Sequence, residues 1–179
     1  MFYVGEIQTK APQHFQTPLQ QRVYETLERL QIPFARVDTD EAITMEDCAA
    51  IDDKLDMKMV KTLFLCSRRQ TEYYLFITAG SKPFRAKDFS RALGVSRVSF
   101  APAEQMEAML GTRIGAATVF SSLLDPDNRI RIVFDRDVLA ETWYGCSDGT
   151  TTGYMKLPAE DICKKFLPYT NHAFSVIEV

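Results

Sequence analysis

The sequence predicts an α+β protein: a single compact domain with a mixed, mostly antiparallel sheet and flanking helices. Helical patterns are interspersed with apolar runs that follow one another closely, which is typical of hairpins and differs from a regular alternation of strand and helix. The 179 residues have the length of one domain. No repeat, low-complexity tract or linker divides the chain. We therefore expect one domain over residues 17–179, preceded by an N-terminal arm over residues 1–16.

Caps and hydrophobic periods place the elements of the first half of the chain. Thr17 and Pro18 supply an N-cap followed by proline at the first helical position, and the helix should end before Pro33. Thr44 and Asp47 resemble a capping box, in which side chains at a helix start satisfy free backbone donors. The predicted elements are a helix from Pro18 to before Pro33, a strand over Phe34–Val37, a helix from Thr44 to Leu55, and a hairpin of strands near 60–66 and 72–78.

Glycine, proline and turn residues delimit the elements of the second half. Gly94 follows the predicted helix Ala86–Leu93 and supplies its C-cap, and residues 125–128 form a turn signal. The stretch 145–153 is polar and contains glycine, so it is predicted to be irregular. The predicted elements are a helix over Ala86–Leu93, a strand over Arg97–Phe100, a helix over Pro102–Leu110, a strand over Arg129–Phe134, a closing helix over Pro158–Leu167 and a strand over Phe174–Val179.

The composition excludes several kinds of protein. No apolar segment approaches the ~20 residues that a membrane span needs. The four cysteines form no C-x-x-C pair and the chain has only two histidines, so neither a zinc site nor a Ser-His or Cys-His nucleophile is expected. Widely separated cysteines, together with a start that does not resemble a secretion signal, predict a cytoplasmic protein with reduced thiols.

Basic residues are concentrated in one part of an acidic chain. The net charge of −3 gives no general attraction to nucleic acid. Between positions 82 and 97, however, there are five basic residues and only one aspartate, and two arginines lie just upstream. This cluster either holds phosphate groups or forms a solvated helix face. Its members are Arg68, Arg69, Lys82, Arg85, Lys87, Arg91 and Arg97.

Lys61 lies near the start of an apolar run, Val60 to Cys66, that is long enough for one buried strand. Because strand side chains alternate between faces, both faces of this strand are apolar, as in the central strand of a sheet. A primary amine there needs a partner, loses its proton or serves a site. Alternatively, Lys61 lies at the exposed beginning of the strand and extends its ammonium group to water. The pattern alone leaves both interpretations open.

Several stretches, in the same order along the chain, resemble a known family. Val60–Leu65, with its lysine, resembles the lysine strand of the YbaK-type aminoacyl-tRNA deacylases, and in particular of the prolyl-tRNA synthetase-associated domain proteins. The resemblance runs from about residue 20 to the C-terminus. Further matching stretches are Thr44–Cys48, Lys82–Arg85, Arg97–Ala101, Gly111–Gly115, Asp127–Arg129, Tyr144–Cys146 and Lys164–Pro168.

The resemblance implies an enzyme that edits charged tRNA. Family members are compact α+β domains that hydrolyse the ester of wrongly charged tRNA, typically tRNA for proline carrying alanine or cysteine, without a metal or other cofactor. The expected partners are the acceptor end of aminoacylated tRNA and prolyl-tRNA synthetase, with the protein as a monomer or homodimer. Carried over by position, Lys61 places the charged 3′ end and Gly115 lines the aminoacyl pocket. Thr44 and Glu46 match the helix entry beside that pocket.

The candidate site residues supply positioning and hydrogen bonds, not a nucleophile. Hydrolysis of an aminoacyl ester needs a bound water and donors for the oxyanion. A lysine cation can hold a phosphate or a carbonyl group, and hydroxyl groups can orient water. The predicted catalytic residues are Lys61 and Gly115; the predicted substrate-binding residues are Thr44, Glu46, Thr62, Ala116, Ser121, Cys146, Ser147, Asp148, Thr151 and Thr152; the predicted tRNA-binding residues are Lys82, Arg85 and Lys87.

These candidates also have structural explanations. The glycines of the 111–115 stretch fit a helix C-cap and a turn, and the hydroxyl groups of 147–152 could satisfy loop backbone. Asp148 could act as a base, anchor an α-ammonium group, or simply begin an Asp-Gly turn. Cys146 has no paired histidine, which disfavours it as a nucleophile.

Two loops depart from the family pattern. Close bacterial relatives have His-Pro and then Asn-Thr where this chain has Ser147–Asp148 and Thr151–Thr152, and Ala116–Val119 replaces a Ser-Pro or Ser-Val run. These changes alter loop shape and hydrogen bonding. The sequence therefore predicts a trans-editing hydrolase, with a catalytically inactive tRNA- or amino-acid-binding module of the same fold as the alternative.

Overall fold

The computed structural model describes all residues, 1–179, and shows eight strands and seven α-helical segments. The strands are β1 (Ala35–Asp38), β2 (Val60–Ser67), β3 (Tyr73–Ala79), β4 (Val98–Phe100), β5 (Ile130–Asp135), β6 (Trp143–Ser147), β7 (Gly153–Pro158) and β8 (Phe174–Ile177). The helices are α1 (Pro18–Arg29), α2 (Met45–Leu55), α3 (Ala86–Leu93), α4 (Ala103–Leu110), α5 (Arg136–Leu139), α6 (Ala159–Asp161) and α7 (Leu167–Tyr169). A 3-10 helix spans Val119–Leu124, and a π-helical turn, Ile162–Phe166, joins α6 to α7.

The strands form two sheets that meet at the start of β2. In the five-stranded sheet the order is β4-β2-β3-β5-β8, with β2 antiparallel to both of its neighbours and β5 parallel to both of its own. The three-stranded sheet, β1-β7-β6, is antiparallel throughout. An isolated bridge between Met59 and Gly145 links the two sheets. The α+β class predicted from the sequence is confirmed.

Local signals correctly place α1 to α4 and the β2–β3 hairpin. The hydroxyl of Thr17 accepts the N–H of Gln20 at 3.0 Å, as an N-cap should. Thr44 and Asp47 form the predicted capping box at the start of α2. Gly94 ends α3 in the left-handed conformation. These elements are determined by neighbours in the sequence, and the prediction holds for that reason.

The stretch 145–153, predicted to be irregular, instead contributes to two paired strands, β6 and β7. Three polar residues at the turn between them, Ser147, Asp148 and Thr150, are buried and bond to one another. The hydroxyl of Ser147 donates to the carbonyl of Thr150 at 2.5 Å and accepts the N–H of Gly149 at 3.0 Å. Polar composition indicates exposure in a sequence, but here it marks a turn whose polar groups are satisfied internally.

The predicted closing helix is present, with a π turn inside it. The backbone N–H of Leu167 donates to the carbonyl of Ile162, five residues earlier. Pro168 follows, and a proline ring inside a helix clashes with the carbonyl four residues before it. The wider π turn accommodates this proline without ending the helix.

The core covers both faces of the five-stranded sheet. Phe64 belongs to a cluster of 27 buried side chains that joins one face to α1 and the three-stranded sheet. Leu65 points to the other face, where it packs in a second cluster with Phe89 of α3. β2 therefore has apolar side chains on both faces, as its sequence predicts. None of the helices combines the length and apolar character that crossing a bilayer requires.

The N-terminal residues, 1–16, lie along the free edge of β1. Gln8 and Arg36 exchange backbone hydrogen bonds of 2.9 and 2.8 Å, and Gly5 donates to the carbonyl of Asp38 at 2.7 Å. The guanidinium group of Arg36 also donates to the carbonyl of Lys10 at 2.6 Å. The arm thus covers the backbone groups that an edge strand would otherwise present to solvent.

Candidate active site

A cavity of about 820 Å³ lies between α2, the start of β2, the loop before the 3-10 helix, and β6. Of the 25 residues that line it, 16 are hydrophobic. A largely apolar cavity of this volume, with a few polar groups, is typical of a binding site for an organic ligand. Its volume exceeds what a small amino acid alone would fill.

Helix α2 forms one wall of the cavity. Met45, Cys48, Ala49 and Asp52 all line it, and their spacing places them along one side of a helix. The capping box fixes where this helix starts: the hydroxyl of Thr44 accepts a backbone N–H at 3.1 Å. Thr44, one of the predicted site residues, therefore both caps α2 and lines the cavity.

Lys61 lines the cavity from β2. It is half-buried, and its ammonium group donates a hydrogen bond to the carbonyl oxygen of Lys82. Lys61 belongs to none of the ion pairs in the chain, so no carboxylate offsets its charge. Lys61 thus lines a ligand-sized cavity, and its ammonium group is held by a backbone carbonyl.

The turn that supplies this carbonyl is held by the side chain of Lys82. Its ammonium group donates to Asp135 at 2.8 Å, to Asp137 at 2.7 Å and to the backbone oxygen of Val179 at 2.7 Å. Burial acts to raise the pKa of Asp135, but hydrogen bonds from Lys82, Thr78 and a backbone N–H outweigh it and lower that pKa. Lys82 was predicted to bind tRNA; the structure instead places its charge between two carboxylates.

Gly115 also lines the cavity, and its φ of +92° lies in the region that favours glycine. A Cβ added there would come no closer than 3.9 Å to the Cγ2 of Thr151, which is an ordinary contact. The conformation, and not a shortage of space, therefore requires glycine at this position. Without a Cβ, the backbone is open to close approach by a ligand.

The structure brings some of the other predicted residues to the cavity and leaves the rest outside it. Thr62, Cys146 and Ser147 line it, together with Lys61, Gly115 and Thr44. Ser121 is buried elsewhere, and its hydroxyl donates to the carbonyl of Leu110 at 2.7 Å. The other predicted residues that do not line the cavity are Glu46, Ala116, Asp148, Thr151 and Thr152.

Asp148 joins the turn between β6 and β7 to α1. Its carboxylate is buried and accepts the side-chain amide of Gln20 at 2.9 Å, the hydroxyl of Tyr24 at 2.9 Å and the hydroxyl of Thr150 at 2.7 Å. Burial raises the pKa of Asp148, although these hydrogen bonds act in the opposite direction. The carboxylate has a structural role here, and it does not reach the cavity as an anchor for an α-ammonium group would.

The two thiols that line the cavity are poor nucleophiles. Burial raises the pKa of Cys48, and burial together with the charge of Asp148 raises the pKa of Cys146. A thiol with a raised pKa stays protonated at neutral pH, and the thiolate is the reactive form. All four cysteines are free, and no group of His, Cys, Asp and Glu side chains is arranged to hold a metal ion.

Sequence reasoning missed two features of the cavity. Asp52 lines it, is half-buried, and accepts the N–H of Met59 at 3.0 Å. The opening also carries exposed apolar side chains, an unusual feature for a protein surface. The helical spacing from Met45 to Asp52 could have indicated the first feature, but only once the side of α2 that faces β2 is known. The exposed side chains are Ile43, Met45, Phe100 and Ile114.

Fold and site together define a class: an α+β domain with a large, mostly apolar cavity and a lysine on its wall. Residues 39–165 match the family model described as the aminoacyl-tRNA editing domain. This match covers more than half of the 179 residues, and the chain belongs to that family. The resemblance found in the sequence is confirmed.

The chain is also similar to individual proteins over most of its length. It is 24% identical over 159 residues to the prolyl-tRNA editing protein ProX of Acetoanaerobium sticklandii, covering 89% of this chain and 96% of that protein. A solved structure described as a "putative trans-editing enzyme for prolyl tRNA synthetase" matches with a TM-score of 0.63 and 16% identity, covering 92% and 99% of the two chains. A scaffold protein used for epitope backbone grafting matches with a TM-score of 0.64 and 17% identity, covering 91% and 98%. At these identities the solved structures show the fold alone.

Proposed function

We propose that the protein deacylates tRNA that carries the wrong amino acid, with tRNA for proline charged with alanine or cysteine as the expected substrate. The observation that carries this proposal is the placement of Lys61 and Gly115 on the wall of one ligand-sized cavity. Membership of the editing family supports the reaction. The name of the relative ProX supports the choice of tRNA.

The proposed reaction uses water as the nucleophile. Water adds to the ester carbonyl and the bond from that carbon to the ribose oxygen breaks. One proton of the water goes to the ribose oxygen and the other to solvent, so the amino acid leaves as a carboxylate. Charge develops on the carbonyl oxygen, and fixed donors aimed at that oxygen lower the barrier. Lys61 and the backbone near Gly115 are the proposed donors. The protonated thiols of Cys48 and Cys146 take no covalent part.

Discrimination between amino acids needs a second site because a synthetase pocket rejects a smaller apolar residue poorly. A missing methylene is worth only about 1–3 kcal/mol of binding. A cavity that admits the smaller residue and excludes the correct one by size supplies the missing selectivity. The cavity of about 820 Å³ leaves room for the terminal nucleoside as well as the amino acid.

The tRNA is proposed to approach over the exposed apolar residues at the opening and the nearby basic surface. Phe100 is exposed beside the cavity, and stacking of a base on an aromatic side chain contributes about 1–3 kcal/mol. Arg85 and Lys87 are exposed and belong to none of the ion pairs. We assign phosphate contacts to these two residues, whereas Lys82 is occupied by Asp135 and Asp137.

Replacement of Lys61 by alanine tests the proposal. We expect Lys61→Ala to slow hydrolysis by about 100-fold or more, in line with the loss of one fixed donor to an oxyanion. Release of the amino acid from a panel of misacylated tRNAs is the measurement. Lys58→Ala is the matched control because Lys58 also lines the cavity but pairs with Glu141 at 3.0 Å.

The control should hydrolyse at the rate of the parent protein. Equal rates for Lys61→Ala and the parent would refute the role of Lys61. A parent that releases no amino acid from any of the charged tRNAs would refute deacylation itself.

A second candidate function is tRNA or amino-acid binding without turnover. The observation in its favour is the internal use of the polar groups of the turn after β6: Ser147 bonds to Thr150, and Thr151 to Glu41 at 3.3 Å. These hydrogen bonds already use the hydroxyl protons of Ser147 and Thr151. Tight binding of charged tRNA, measured with no release of the amino acid, would favour this function.

A further inference from the structure

The walls of the cavity carry very little charge. Asp52 is the one acidic residue among the 25 that line it, and Lys58 and Lys61 are the basic ones. Lys58 pairs with Glu141 at 3.0 Å, and its side chain is largely exposed. Apart from Lys58, the cavity wall therefore includes one cationic residue, Lys61, and one anionic residue, Asp52.

These two charges do not neutralise each other. Neither Lys61 nor Asp52 belongs to any ion pair, so their charged atoms are more than 4.0 Å apart. Lys61 donates to the carbonyl of Lys82. One oxygen of Asp52 accepts the N–H of Met59 at 3.0 Å, and the other accepts no hydrogen bond from the protein. This oxygen is not among the buried polar atoms that lack a partner, so it is accessible to water or to a ligand in the cavity.

Asp52 lies beside the start of β2, on the cavity wall that also includes Lys61. Asp52 is one helical turn from Cys48 on the side of α2 that lines the cavity. Its hydrogen bond ties it to Met59, which lines the cavity and precedes Lys61 by two residues. Asp52 and Lys61 thus reach one cavity from adjoining parts of α2 and β2.

We propose that Asp52 binds the α-ammonium group of the aminoacyl moiety and makes the site specific for tRNA with a free α-amine. This inference rests on the proposed function. An amino acid esterified to tRNA has lost its carboxylate charge, so the α-ammonium is the one charge that an alanyl group carries. Hydrogen bonds between an ammonium and a carboxylate are among the stronger ones in proteins. N-blocked aminoacyl-tRNA and peptidyl-tRNA lack this charge and are excluded as substrates.

The burial of Asp52 is consistent with a carboxylate that becomes paired only when a cationic ligand binds. It raises the pKa of Asp52, although the N–H of Met59 acts in the opposite direction. An ammonium ligand would favour the ionised form and reverse the effect of burial. Asp148 was a candidate for this role from the sequence. Its carboxylate already accepts hydrogen bonds from Gln20, Tyr24 and Thr150, away from the cavity.

The test uses two stable analogues of a charged tRNA end. The first is 3′-deoxy-3′-(L-alanylamino)adenosine, whose amide resists hydrolysis; the second is the L-lactoyl counterpart, in which a hydroxyl group replaces the ammonium at nearly the same size. Calorimetry gives the Kd of each for the parent, Asp52→Asn and Asp53→Asn. Asparagine keeps an oxygen that can accept the N–H of Met59 but removes the charge. Asp53 is the matched control because it is exposed and does not line the cavity.

We expect the parent and Asp53→Asn to bind the alanyl analogue about 10- to 100-fold more tightly than the lactoyl analogue, as a hydrogen bond between charged groups allows. Asp52→Asn should bind both analogues equally. Equal binding of the two by the parent, or no binding of either, would overturn the proposal whether or not Asp52→Asn folds. An undiminished preference in Asp52→Asn would overturn it as well.

The outcome is separable from that of the proposed function. Hydrolysis of charged tRNA by the parent, together with a preference that does not depend on Asp52, refutes the role of Asp52 alone. A preference that depends on Asp52, in a parent that hydrolyses no charged tRNA, refutes deacylation and leaves Asp52 as the ammonium-binding residue of a binding module.

Discussion

Gly115 is a residue of the cavity wall whose backbone conformation favours glycine over any residue with a side chain. Its φ of +92° is strained for any residue with a Cβ, at a cost of about 1–3 kcal/mol. We expect Gly115→Ala to shift the loop toward a negative φ and to reduce kcat/KM for charged tRNA. The contact with Thr151 should contribute little, since the added Cβ would lie 3.9 Å from it. Steady-state hydrolysis measures the effect.

Gly94 is the matched control, because it has a positive φ but does not line the cavity. It has a φ of +73° at the end of α3, and a Cβ there would meet nothing within 4 Å. Gly94→Ala should lose a comparable amount of stability and keep its hydrolysis rate. A rate unchanged in Gly115→Ala would show that the backbone at this position takes no part in the reaction.

Single residues of the site differ in how far the sequence reveals them. Lys61 could be singled out because an amine in a strand that is apolar on both faces needs an explanation. Gly115 came from the resemblance alone, since its loop has no periodicity. Asp52 could not be identified as a site residue from the sequence. It is one of several aspartates on α2, and only the packing of that helix beside β2 distinguishes it from the others. The functional roles of Lys61, Gly115 and Asp52 remain predictions.

Among the elements, those that depend on near neighbours were predictable and those that depend on distant ones were not. The caps Thr17 and Thr44 act on backbone groups within three residues, and they fixed α1 and α2. The strands β6 and β7 depend instead on burying a polar turn, through contacts of Asp148 with Gln20 and Tyr24 more than 120 positions away. No local pattern carries that information.

The turn from β3 to α3 is an element whose stability should depend on pH. Asp135 is buried, and its hydrogen bonds with Lys82 and Thr78 lower its pKa in the folded state. The stabilisation is therefore present above the ordinary pKa of about 3.9 and is lost as the pH falls through the lowered value. We expect Asp135→Asn to lower the free energy of unfolding by about 2 kcal/mol near neutral pH. The difference from the parent should be smaller under acid conditions. Urea titrations at several pH values measure this.

Asp137→Asn is the control for the same ion-pair network. Asp137 also bonds to Lys82, at 2.7 Å, but 64% of its side chain is exposed. Exposed pairs contribute at most about 1 kcal/mol, so this variant should follow the parent closely. If the curves of unfolding free energy against pH were parallel for Asp135→Asn and the parent, Asp135 would not be the source of the pH dependence.

At the scale of the whole molecule, the two sheets touch where the cavity begins. The bridge from Met59 to Gly145 joins them two residues before Lys61. A Cβ on Gly145 would lie 2.6 Å from the Sδ of Met57, which is too close, and 3.1 Å from the carbonyl oxygen of Lys58, which is a tight contact. Glycine at this position thus lets the sheets approach and brings β2 beside β6. The position of Lys61 depends on this approach.

Separation of the sheets should therefore affect stability and activity together. We expect Gly145→Ala to lower the free energy of unfolding by about 1–3 kcal/mol, as overpacking does, and to slow hydrolysis because the start of β2 moves. Met57→Ala in the same chain removes the nearer obstacle, so the double variant should be more stable than the sum of the two single effects predicts. Urea unfolding and hydrolysis assays of all four proteins measure this coupling. Strictly additive effects would mean that Met57 and Gly145 do not constrain each other. An unchanged hydrolysis rate in Gly145→Ala would mean that the contact between the sheets does not position Lys61.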